Sequence, residues 1–175
     1  MLGYVVSSGR GASDRLIAAV AEDLAARGLP LSGAVQLNIE HDPDRHCHMD
    51  LMILGEGGSF RISEDRGRHA RGCRLDPQGL AAAIARVEKS LERQGSALLI
   101  VNKFGKQEAE GGGFRDVIGR ALLAGVPVLT SVSARNLPAF LTFADGLAVE
   151  VPADAGRATA WCLAAVSPQG HRLSA

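Results

Sequence analysis

The feature that most constrains this chain is an alternation. Short, wholly apolar runs are followed by longer segments whose apolar residues recur every three or four positions. Ala97 to Val101 and Val126 to Leu129 are continuous apolar stretches. A strand that is apolar on both sides needs cover on both faces, which a parallel sheet between two helical layers provides. The helical segments fit that role. Leu16, Ile17, Val20 and Leu24 recur at helical spacing up to Arg27-Gly28, and Leu80, Ile84, Val87 and Leu91 do so up to Gly95, behind an Asp76-Pro77 start with proline at the first helical position. Further helices are expected over residues 114–124, 137–143 and 155–166, and further strands over 2–7, 127–132 and 147–151. One region breaks the rhythm. Residues 31–40, 47–54 and 60–62 read as strands separated only by the turns His41-Asp42-Pro43-Asp44 and Gly55-Glu56-Gly57-Gly58, so they form an antiparallel insert. The expected fold is a three-layer α/β sheet, mostly parallel, with an antiparallel hairpin insert. It makes one domain over residues 1–166, followed by a flexible tail over 167–175.

Composition narrows the function classes. Nineteen basic and nineteen acidic side chains balance in a chain of 175 residues, so no global electrostatic footprint for nucleic acid or an anionic membrane is present. No apolar run approaches the ~20 residues that span a bilayer, and residues 1–10 lack the pattern of a signal peptide. A cytoplasmic protein is expected. Cys47, Cys73 and Cys162 are odd in number and include no CxxC, a poor disulfide framework and zinc site. Arginine dominates the cations. Of only three lysines, two lie close together at Lys103 and Lys106.

In a parallel sheet, ligands sit outside the carboxyl ends of the strands, so the loops after Ser7, Val101 and Val132 are the candidate sites. The first reads Ser7-Ser8-Gly9-Arg10-Gly11-Ala12-Ser13. Its glycines permit unusual backbone angles, the following helix presents free N–H groups, and Ser7, Ser8, Arg10 and Ser13 add donors, an arrangement suited to a phosphate or other oxyanion. An ordinary strand-to-helix turn capped by Ser13 is the competing reading. The loop has no lysine, which a phosphate-binding loop of the GxxxxGK[ST] type requires for the β- and γ-phosphates.

The second loop, Asn102-Lys103-Phe104-Gly105-Lys106-Gln107-Glu108, followed by Phe114-Arg115, resembles the corresponding segment of the small thermophile-type P-loop nucleoside-triphosphatases. Gly105, Lys106 and Glu108 match an Asp-Glu-Ile-Gly-Lys-Met-Glu run in those proteins. The resemblance extends over residues 2–151 through the order of elements and implies a P-loop-like fold. A closer resemblance, carried by Asn102 to Ala109, Gly113-Phe114-Arg115, Gly72 to Pro77 and Asn136 to Phe140, is to an uncharacterised bacterial family of degenerate relatives of those enzymes. Some of its members are encoded beside molybdate-transport genes.

The departures from the hydrolases carry chemical meaning. Their strand-end acids hold the magnesium shell and orient the attacking water, and here those positions are Asn102 and Lys103. An amide is a feeble magnesium ligand and an ammonium cannot be a base, so efficient NTP hydrolysis is not expected. The site has exchanged acids for cations: Lys103, Lys106 and Arg10 would face an anion with no magnesium ion between them. Solvated loop charges are the plainer reading.

Two other stretches attract attention. Arg66, Arg68, Arg71 and Arg74, with His69 and no acid among them, could close over an anion as a lid or form a solvated loop. His46, Cys47 and His48, with Cys73, are candidate metal ligands, although strand alternation sends His46 and His48 to the face opposite Cys47; a polar hairpin end without metal is the expectation. No catalytic Ser-His-Asp or Cys-His arrangement is recognisable. The expected function is a non-hydrolysing or weakly hydrolysing nucleotide- or oxyanion-binding protein, with the family resemblance pointing towards molybdate. The alternatives are a triphosphatase or phosphotransferase in which Glu108 or Glu110 replaces the lost acids, and a structural interaction domain acting as a homodimer. The expected partner is a small anion, with no nucleic acid or membrane.

Overall fold

The computed structural model describes residues 1–6, 9, 11–39, 48–64, 75–93 and 95–167. Within them lie β1 (Leu2–Val6), α1 (Ala12–Ala26), β2 (Leu31–Ile39), β3 (His48–Ile53), β4 (Ser59–Arg61), α2 (Pro77–Glu92), β5 (Leu98–Phe104), α3 (Lys106–Ala109), α4 (Arg115–Leu123), β6 (Val128–Val132), α5 (Leu137–Ala144), β7 (Ala148–Glu150) and α6 (Ala155–Val166). The strands form one seven-stranded sheet in the order β4-β3-β2-β5-β6-β1-β7. β2, β5, β6, β1 and β7 run parallel, and β3 and β4 add the antiparallel pair at one side. This is the three-layer α/β architecture, consistent with a P-loop-NTPase-like sheet, that the alternation of apolar and amphipathic segments predicts.

The pleat divides the core in two. Leu2, Tyr4, Leu99 and Val101 face the layer that contains Ala83 and Val87 of α2, Val117 and Ile118 of α4 and Phe140 of α5. Val5, Leu98, Ile100 and Leu129 face Ile17, Val20 and Leu24 of α1 and Ala158 and Cys162 of α6. On that second side, a Cβ at Gly3 would meet the ring of Trp161 at 2.5 Å, so glycine is what lets α6 lie close to β1. Burial pushes the Cys162 thiol up to about 12, which makes it a packing residue and no nucleophile.

Helix ends follow local chemistry. Asp76 accepts a hydrogen bond from the Gln78 N–H at 2.9 Å ahead of Pro77, and Asp154 does the same for Arg157 at 2.9 Å. Gly28, at φ 75°, ends α1 in the left-handed conformation. No helix is long and apolar enough to cross a membrane among the described residues.

Three local expectations change. β5 runs on to Phe104, where the sequence suggests a loop from Asn102, because Phe104 pairs with Val132 of β6. Lys106–Ala109 forms a short helical turn inside that same expected loop. Ser13 does not cap α1: Gly11, at φ 69°, is the N-cap residue and Ser13 lies within the first turn. Of the expected tail, residues 168–175 lie outside the described residues; Ser167 is the C-cap of α6.

Candidate functional site

The parallel register brings the carboxyl ends of β1, β6 and β5 level, with Val6 beside Val132 and Val132 beside Phe104. α1 therefore starts beside the end of β5. Gly9 and Gly11 both take positive φ, 103° and 69°, as the first loop requires.

A bulge shapes the end of β5. Val101 pairs with Thr130 and Phe104 with Val132, so β5 spends three steps where β6 spends two. Strand alternation carries Asn102 to the α1 side with Leu98 and Ile100. The extra residue then reverses the alternation and returns Phe104 to the opposite layer, where its ring packs against Phe140 at 5.1 Å and Phe143 at 5.4 Å between centroids. Asn102 and Lys103 are thereby both free to reach α1.

What they reach is Asp14, in the first turn of α1 and only 4% exposed. Its Oδ1 accepts from Asn102 Nδ2 at 2.9 Å and lies 3.4 Å from Lys103 Nζ, while Oδ2 accepts from Asn38 Nδ2 at 2.7 Å. The network continues outward. Asn38 Oδ1 accepts from Gln36 Nε2 at 2.8 Å, and Asn102 Oδ1 accepts from Ser131 Oγ at 2.6 Å. A carboxylate only accepts hydrogen bonds, so its presence fixes both amides with nitrogen turned towards it and oxygen away. β2, α1, β5 and β6 are tied together through this one buried acid, and the Lys103 side chain remains 40% exposed at its outer side.

The sequence candidates separate accordingly. Gly9, Gly11, Ser13 and Lys103 lie at this edge. Lys106 points outward, its side chain 72% exposed and paired with Glu110 at 3.7 Å. Glu108 is buried and spent on the backbone: Oε2 accepts from the Gly105 N–H at 2.8 Å and Oε1 from the Phe114 N–H at 3.0 Å, which closes the turn between α3 and α4. Ser7, Ser8, Arg10, the arginines Arg66, Arg68, Arg71 and Arg74, and His46, Cys47 and Cys73 lie outside the described residues. His48 opens β3, opposite Ile39. Among the described residues, no group of three or more His, Cys, Asp or Glu side chains could hold a metal ion.

Magnesium, which the resemblance to triphosphatases implies, does not fit the groups around Asp14. The ion takes a near-octahedral shell of oxygens at about 2.0–2.1 Å. Here both neighbouring amides offer nitrogen to the carboxylate, and an ammonium lies against Oδ1.

Sequence reasoning found Lys103 but missed Asp14, Asn38 and Ser131. An aspartate in the first turn of a helix has a sufficient reason to be there in the helix dipole. Its partners lie 24 and 88 residues away, so no local signal connects them.

A mostly parallel sheet with a glycine-bearing loop entering a helix at its carboxyl edge is consistent with a P-loop-NTPase-like α/β fold. The chain belongs to the family described as "Protein of unknown function (DUF2478)", whose profile matches residues 2–161. The chain is also similar to the "Molybdenum import ATP-binding protein ModC 2" of Bradyrhizobium diazoefficiens, at 35% identity over 148 residues. That match covers 85% of this chain and 16% of the relative's length. No solved structure matches the chain.

Proposed function

We propose that this protein binds a nucleotide or a small oxyanion at the carboxyl edge of its parallel sheet, without efficient hydrolysis, and that the ligand belongs to molybdate metabolism. The observation that carries this reading is the contact between Lys103 at the end of β5 and Asp14 in the first turn of α1, 3.4 Å apart, which holds a partly exposed cation beside the glycine loop. Anions are stabilised where a helix start and a fixed positive charge converge. The similarity to a molybdenum-import ATP-binding protein supports a nucleotide or molybdate as ligand. Because the match spans so small a part of that relative, neither its transport nor its ATP use is carried over whole.

Glu108 does not favour the enzymatic alternative. To act as a base it would have to release two main-chain N–H groups that it now satisfies. Calorimetric titration with ATP, GTP, molybdate, tungstate and sulfate tests the reading: at least one saturable isotherm is expected, and silence across the panel overturns it. Phosphate release from ATP with magnesium is expected to stay near the uncatalysed rate. Turnover that is robust in the wild type and lost in Glu108→Gln would restore the enzyme reading.

A further inference from the structure

The groups that surround Asp14 answer a question the proposed function leaves open, namely in what form the anion arrives. The inference rests on that reading of the site. In a buried pocket, a lone carboxylate needs a cation, and nucleotide sites commonly supply one as a divalent metal shared with the ligand. At this edge the place is taken. Lys103 Nζ lies 3.4 Å from Asp14 Oδ1, and that same oxygen already accepts from Asn102. Asp14 Oδ2 accepts from Asn38 Nδ2. The two amide oxygens that could have ligated a metal face Gln36 and Ser131 instead.

The orientation of these groups is set by the carboxylate, which can only accept, and is completed by partners outside the site. Asn102 Oδ1 accepts from Ser131 Oγ, and Asn38 Oδ1 accepts from Gln36 Nε2. Turning either amide to offer oxygen inward would set that oxygen against the carboxylate. A divalent ion bound directly to Asp14 Oδ1 would therefore have to displace the Lys103 ammonium or the Asn102 amide. The ammonium itself is well placed to serve. It is anchored on its inner side by Asp14 and open to solvent on its outer side, with the side chain 40% exposed. The bulge at Asn102-Lys103 is what directs it there, since regular alternation would have sent Lys103 to the other face of the sheet.

We propose that the Lys103 ammonium, held by the buried Asp14 carboxylate, is the built-in cation of this site, so that the protein takes its anion as the free, metal-less species. The prediction separates this protein from one that recognises a magnesium–nucleotide complex. It also gives the missed aspartate a task as a positioning residue.

The test is calorimetry on the full chain with ATP and, separately, with sodium molybdate, each in excess EDTA and in excess magnesium chloride. The binding ligand is expected to bind in EDTA at least as tightly as with magnesium. Lys103→Met, which keeps the aliphatic stem and removes the charge, is expected to weaken binding in EDTA by about tenfold or more. A gain of about tenfold or more on adding magnesium to the wild type overturns the inference while leaving the anion-binding reading intact. Unchanged affinity of Lys103→Met in EDTA overturns it as well. No heat from either anion in either buffer removes both the reading and the inference.

Discussion

The two ends of the parallel sheet spend their polar groups differently. At the amino edge, Ser32 of β2 bonds to Ser90 of α2 at 2.9 Å and to Ser96, and Glu56 in the turn after β3 is ion-paired with Arg86 at 2.7 Å and with Arg93. These contacts border a cavity of about 620 Å³ walled by Leu29, Pro30, Leu31 and Leu54, and they fasten the end of α2 to the turns below the sheet. At the carboxyl edge, Asp14 gathers two amides and an ammonium, yet leaves the ammonium open on one side. The first set joins neutral hydroxyls and one Glu56 carboxylate shared by two arginines. The second gathers two amides and one ammonium on a single carboxylate, so the amino edge joins a helix end to turns whereas the carboxyl edge joins three strands to a helix start.

Predictions that probe this contrast run from large to small. Gly113→Ala should have the largest effect, on the order of 4 kcal/mol. Its Cβ would lie 2.0 Å from Glu108 Oε1, at a backbone φ of 59°, and would drive the buried carboxylate off the two N–H groups it serves. Urea unfolding measures this, and a loss below about 1 kcal/mol would mean that the turn at the carboxyl edge is not fastened by Glu108.

Asp14→Ala should cost about 3 kcal/mol, because it strands two buried amide donors and an ammonium together. Asp14→Asn, which keeps one accepting oxygen, should cost less. If both variants unfold like the wild type, the carboxyl edge does not depend on its buried charge and the contrast fails.

At the amino edge, Ser32→Ala should cost only about 1 kcal/mol, since Ser90 and Ser96 border a cavity where water can replace the lost hydroxyl. Thermal unfolding of Ser32→Ala beside Asp14→Ala compares the two ends directly, and the order of their effects is the point at issue. Smallest of all is Lys106→Ala. That side chain is 72% exposed with one ion pair to Glu110, so a stability change within about 0.5 kcal/mol is expected. A similarly small change in anion affinity would distinguish Lys106 from Lys103, its neighbour in sequence.

The two lysines show how far a sequence can be read. They lie three positions apart and look equivalent in a glycine-bearing loop. One ends on a bulged strand against a buried acid, and the other lies on the outer face of a short helical turn. The bulge, which requires β6 alongside, makes the distinction. The sixteen residues of α2, by contrast, were legible from Asp76-Pro77 and a helical apolar stripe, because caps and periodicity act over a few residues.

Glu108 teaches the same lesson for acids. Its place in the Lys106-Gln107-Glu108 run suggests chemistry, and its surroundings make it a backbone cap. Asp14 offers no motif at all and proves to be the acid on which four elements converge.

By itself the sequence determined what depends on short range: most of the strands and helices, that one antiparallel insert accompanies a parallel sheet, and that the segments after β1 and at the end of β5 carry glycines and lysines. Only the tertiary structure decided which lysine meets which acid. Hydrophobic periodicity and helix caps are properties of neighbouring residues, whereas the partnership of Asn38, Asp14, Asn102, Lys103 and Ser131 exists only once β2, α1, β5 and β6 lie side by side.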